Sequence, residues 1–433
     1  MLKAGQAAVA KAQAVRVRTP RETAYVQAVG IIFNPQAQPD PAARVMGFSD
    51  AMGAIARAYP QEHQAAILHA LPLLSGELPD DPSLARSREA LAILNQVLAV
   101  EPDNPGVIHF IIHATDNPRM ASLGLAAARR YAKIAPTSAH AQHMPGHIFA
   151  RLGLWREDIT SNLASKAAAE RPEVLHTEAQ NRLHAMEFLQ YAYLQIGRDD
   201  LAQALVAEAA TIRPDEMSPG FERYHDTMVS GFPTRQVLET RDWKAAEQLE
   251  PPAGSDVHAQ RAFYWAQTVG AGHLRDARAA QAATARFHAT YTAAQIQAAQ
   301  AHPSSMWTET QAWTLFAQGK IDDALGLLRP LADDQEQVGK GEVELPAREM
   351  MADMLRLSGR LIDALVQYRL SLQTDPGRFN ALLHAGQTAE QLGLSKEAKV
   401  DYQMLLANAA DPAPLSRTAL GPAEALLATA AAK

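Results

Sequence analysis

The 433-residue chain contains no cysteine. That excludes disulfides and thiolate ligands, so a metal site here must be built from His, Asp and Glu. Positive charge is not in excess: 40 Lys and Arg stand against 47 Asp and Glu, a formal net charge of −7. A basic face for nucleic acid or anionic lipid is therefore not expected. Nothing approaches the roughly eighteen consecutive apolar residues of a membrane span, and no signal-like apolar core follows Lys3. A cytoplasmic, non-membrane protein is the expectation. No G-x-S-x-G occurs, and "GAGHLRDA" follows no strand pattern, which argues against a phosphate loop.

What the chain has is alanine, few β-branched runs and a repeat. "LSGRLIDALVQYRLSLQTDP" carries Gly359, Ala364 and Pro376, and Gly393 and Ala398 follow the first two by 34 residues. Gly197, Ala202 and Pro214 repeat the spacing. Gly319 with Ala324 and Gly272 with Ala277 do so too, and a looser copy surrounds Trp243. A glycine suits the turn between two helices, a small alanine their close crossing, and a proline the end of the second helix. The pattern resembles the tetratricopeptide repeat (TPR). The resemblance implies an all-α, right-handed superhelical solenoid of antiparallel helix pairs. Residues 1–84 read as degenerate N-terminal helices, with a break at Pro60. Residues 85–215 and 216–433 read as successive repeats of one continuous solenoid, and 33–41, 77–83 and 249–256 as its soft connections. Trp307 and Trp313, at helical spacing, read as inter-repeat packing.

Pro102 and Pro136 mark equivalent points of consecutive repeats. His109 and His143 each lie seven residues past them, and His113 and His147 eleven. Residues four apart share a helix face. The TPR resemblance implies that this first-helix face lines the concave groove, so the four imidazoles are expected to hold one metal ion or two adjacent ones. Asp116, His140, His184 and Glu187 fall on or near the same face and are expected to complete the site as further ligands or supports. Pro145 and Gly146 leave open a delayed helix start, with His140 and His143 in a preceding loop.

"HFIIHATDNP", "SAHAQHMPGHIFARLGLW" and "LHAMEFLQYAYLQIGRDDLA" resemble a family of bacterial TPR proteins with a central HxxxH and HMPxHIF signature. The resemblance extends over most of the chain from about residue 20. Gly146 stands where that signature leads one to expect serine. No reaction follows from the resemblance.

Histidine-rich ligation suits a divalent transition metal: Zn, Fe, Cu or Mn. An open coordination position would make the protein a metal-dependent hydrolase or oxidoreductase for a small polar or peptide ligand in the groove. Glu187 is then the candidate catalytic base, and Arg151 and Tyr191 the candidate substrate-binding residues. A non-catalytic scaffold binding a protein or peptide partner is the alternative, and metal storage or sensing a third. Replacing His113 or His147 by alanine is expected to abolish stoichiometric metal binding without loss of helical content. Elemental analysis beside circular dichroism checks both halves, because inter-repeat packing rather than metal should carry the fold.

Overall fold

The computed structural model describes the chain except residues 1, 16–18, 77, 79–80, 175–177, 342, 410–416, 418–422 and 424–433. Every regular element among the described residues is a helix, and sequential helices pack against one another. The all-α, helix-pair architecture expected from the repeat is what the chain forms. Two compact units are present, Met1–Ala135 and Pro136–Lys433. No described helix is long and apolar enough to cross a membrane.

The turn chemistry explains the pairs. Gly359, Gly393, Gly197 and Gly319 all take left-handed dihedrals, with φ between 74° and 80°. That region is open to glycine without the Cβ penalty other residues meet. Around Gly359 the chain closes as a Schellman turn: Gly359 N–H donates to Arg356 O at 3.1 Å and Arg360 N–H to Leu355 O at 2.9 Å. Five residues past these glycines, Ala202, Ala324, Ala364 and Ala398 are fully buried at the helix crossings.

One repeat differs in register from the sequence pattern. Gly272 lies inside the helix Val257–His273, not at its turn. The left-handed residue is Arg275, at φ 59°, and the fully buried crossing alanine is Ala280 rather than Ala277. Gly272 serves packing, since a Cβ there would lie 2.6 Å from Trp313 Cε3. The indole it admits is buried, as is Trp307. In the first unit the break near Pro60 falls between Pro41–Ala58 and His63–Ala70. The connections at 33–41 and 249–256 lie between helices. Residues 77, 79 and 80 of the third lie outside the described residues.

Within the second unit, late repeats return to early ones. Trp155 Nε1 donates to Gly377 O at 2.9 Å, and Phe379 N–H to Gln195 Oε1 at 3.0 Å. Between those contacts lies Arg378, which is completely buried. Its guanidinium donates to Glu349 Oε2 at 2.6 Å, to Glu239 Oε1 at 2.9 Å, and to the Tyr191 hydroxyl. Tyr191, Glu239, Glu349 and Arg378 are each no more than 2% exposed.

Replacing Arg378 by alanine leaves Glu239 and Glu349 buried without their partner, at a cost of about 3–5 kcal/mol. Equilibrium urea unfolding should show the loss. Arg213→Ala, which removes the exposed pair with Asp215, should leave the midpoint unchanged.

Candidate metal centre

Ser138 opens the helix Ala139–His143, its hydroxyl accepting from Ala141 N–H at 3.3 Å. Pro145 begins the next helix, Pro145–Arg151, where a first-turn residue needs no N–H donor. Met144 between them keeps helical dihedrals, φ −51° and ψ −36°. The path is therefore nearly continuous, and Pro145 does not displace His143 into a loop. His143 and His147 sit one turn apart, Nε2 to Nε2 at 2.9 Å.

His184 joins them from the helix Ala179–Gln195, its ring centroid 4.2 Å from that of His143 and 5.9 Å from that of His147. One ring nitrogen from each of the three lies within 4.8 Å of the others. Metal–nitrogen bonds of about 2.0–2.1 Å place two nitrogens on one ion about 3 Å apart, so the donor set fits a single ion with little adjustment. Phe188, one turn beyond His184, packs its ring against all three imidazoles, at centroid distances of 4.7, 5.0 and 5.4 Å. This apolar wall limits water on one side of the site.

His143 is 2% exposed. Burial, followed by its neighbours His184 and His147, pushes its pKa well below the ordinary value, so it is neutral. Its Nδ1 lies 2.7 Å from Asn162 Oδ1, while Asn162 Nδ2 donates to Asp158 O at 3.1 Å and Oδ1 at 2.6 Å.

Glu187 lies beside the cluster, with Oε2 3.5 Å from His184 Nδ1 and Oε1 accepting from Arg235 Nη2 at 2.6 Å. Burial alone would raise its pKa, but the Arg235 charge, together with the His184 contact, holds it at about 2. A carboxylate that acidic is a poor general base near neutrality. Glu187 thus contacts His184 on one side and is held by Arg235 on the other. Arg235 also donates to Gln190 Oε1 at 2.9 Å and to Val343 O at 3.2 Å.

The remaining expected residues divide. His140 is exposed, its ring centroid 6.4 Å from that of His143. Tyr191 and Arg151 are buried, at 1% and 8% exposure. With its hydroxyl bonded to Arg378, Tyr191 is a packing residue of the closed interior. Arg151 is enclosed to a similar degree. In the first unit, His109 and His113 form the matching pair, Nε2 to Nε2 at 3.0 Å, with His109 stacked on Tyr131. Asp116 caps the C-terminus of their helix, Pro105–Thr115.

Asn162, Asp158, Arg235 and Phe188 were not among the sequence candidates. A signal for the first two was available. Other repeats place Ala364 and Tyr368, Ala398 and Tyr402, or Ala324 and Leu328 at five and nine residues past the turn glycine. Past the left-handed Gly153 those positions hold Asp158 and Asn162, both fully buried. Arg235 and Phe188 carry no such mark.

No protein-family model and no curated protein matches the chain. Similar solved structures include the APC/C hetero-tetramer Cut9–Hcn1, at 10% identity and TM-score 0.37, covering 96% of this chain and 78% of that one. The human IFIT1 dimer with m7Gppp-AAAA is 12% identical, with TM-score 0.37 and coverage of 95% and 86%. The P58(IPK) TPR domain is 15% identical, with TM-score 0.24 and coverage of 94% and 99%.

Glu187 should remain ionised far into acid. A carboxylate-detected NMR titration is expected to place the Glu187 midpoint well below that of an ordinary glutamate. Its folded pKa lies below the ordinary 4.5. Its stabilising contribution is therefore complete above pH 4.5 and is lost as pH falls towards about 2.

Proposed function

We propose that His143, His147 and His184 hold a divalent transition metal, and that the protein carries out metal-dependent chemistry on a small polar molecule. The observation that carries this is the meeting of three imidazole nitrogens within 4.8 Å, from three helices, with His143 held neutral. A neutral imidazole has a lone pair to offer; a cluster kept only for packing gains nothing from juxtaposing such nitrogens.

Three protein ligands leave a coordination position for water or substrate, the pattern of catalytic rather than structural sites. The ion would supply Lewis acidity there, or redox chemistry if it is Fe or Cu. Of the metals compatible with imidazole, affinity order favours Cu or Zn over Mn and Fe. Glu187 and Arg235 keep His184 in place, and Phe188 shields the site from bulk water. His109 and His113 offer further nitrogens in the first unit, with greater exposure.

A scaffold gripping an extended peptide needs accessible inward faces. In the second unit those faces are occupied by the Arg378 cluster, which favours a small ligand. Purified chain, stripped with chelator and titrated with Zn²⁺ or Co²⁺, should bind stoichiometrically. His147→Ala and His184→Ala should each weaken binding at least 100-fold, beyond what loss of a supporting residue causes, while circular dichroism stays unchanged. Wild-type-like binding by both variants would refute the site. Equal retention of a partner protein before and after chelation would favour the scaffold.

A further inference from the structure

We infer that Asp158 and Asn162 are positioning residues that fix which nitrogen of His143 faces the metal. The inference rests on the three-histidine reading above and adds how the site is built. In the repeats around Gly319, Gly359 and Gly393, the corresponding positions are alanine followed by leucine or tyrosine, and these pack apolar surface where the helices cross. Burying a carboxylate and an amide at such positions is costly unless their polar atoms are satisfied. Both are 0% exposed, so the departure from the repeat pattern calls for a reason other than packing.

The hydrogen bonds supply one, because their direction is forced. Asn162 Nδ2 meets the Asp158 main-chain carbonyl, which cannot donate, at 3.1 Å, and the Asp158 carboxyl Oδ1 at 2.6 Å. The amide nitrogen must therefore point to Asp158 and the amide oxygen to His143. That oxygen only accepts, so the His143 Nδ1 at 2.7 Å must carry the proton. Nε2 is left with its lone pair, 2.9 Å from His147 Nε2. Asp158 orients Asn162, Asn162 selects the tautomer of His143, and the donor nitrogen is presented to the cluster before any metal arrives.

Gly146 makes this approach possible. A Cβ at 146 would lie 2.6 Å from Asn162 Nδ2 and 2.8 Å from Asp158 Oδ1. Any side chain at this position would collide with both.

The test uses the whole chain. In metal-free protein, ¹⁵N-detected histidine spectra should show His143 as the Nδ1–H tautomer. The double variant Asp158→Ala with Asn162→Leu restores the alanine–leucine pair of the repeat around Gly319. A purely structural role predicts that it folds and binds Zn²⁺ as the parent does. A positioning role predicts normal folding, loss of the single tautomer and about 10–100-fold weaker Zn²⁺ binding. Asn162→Asp alone should fail as well, because it sets two carboxylates side by side. Combining it with Asp158→Asn restores one donor and one acceptor, and should recover both tautomer and affinity.

An Nε2–H tautomer in the parent, or unchanged zinc affinity in the alanine–leucine variant, would overturn the inference. The tautomer is read without metal. Failure of the parent to bind Zn²⁺ would therefore refute the metal reading separately, with the spectra still deciding the relay.

Discussion

The second unit depends on one buried guanidinium. Arg378 has no exposure and is surrounded by Glu239, Glu349 and Tyr191, which come from helices far apart in sequence. Charges of opposite sign at hydrogen-bond distance offset the large cost of removing each from water. The arrangement tolerates little displacement, since any gap leaves a desolvated charge unpaired. Helix pairs that could coil open are thereby held with their inward faces together.

The histidine cluster uses a different principle. His143 is kept neutral by burial and by its neighbours His184 and His147, so its nitrogen is available as a donor rather than occupied by a proton. The supports are polar but directional. Asp158 and Asn162 act on His143, and Glu187 with Arg235 acts on His184. Phe188 closes one side with apolar surface. Each imidazole can therefore be oriented without coming from a rigid loop, because the helix supplies the position and the hydrogen bond supplies the rotation.

Much of this was legible in the repeat itself. The turn glycines at 197, 319, 359 and 393 take the left-handed conformation their spacing implies. The i, i+4 histidine pairs have facing nitrogens because helical geometry leaves no alternative. The pattern misled where a similar spacing arose for another reason. Gly272 and Ala277 imitate a turn glycine and a crossing alanine, yet Gly272 makes room for the Trp313 indole and the turn passes to Arg275. Local spacing cannot distinguish a glycine needed for its backbone from one needed for its missing side chain.

Sequence alone established the helices, their pairing and the two histidine ladders, since all three follow from periodicities of a few residues to one repeat length. Tertiary structure decided which polar residues become partners. The partner of Glu187 is Arg235, 48 residues away. The partner of the Tyr191 hydroxyl is Arg378, 187 residues away. The chemistry of an ionisable side chain is set by burial and by the nearest charge, and both are products of chain closure over distances that no local pattern encodes.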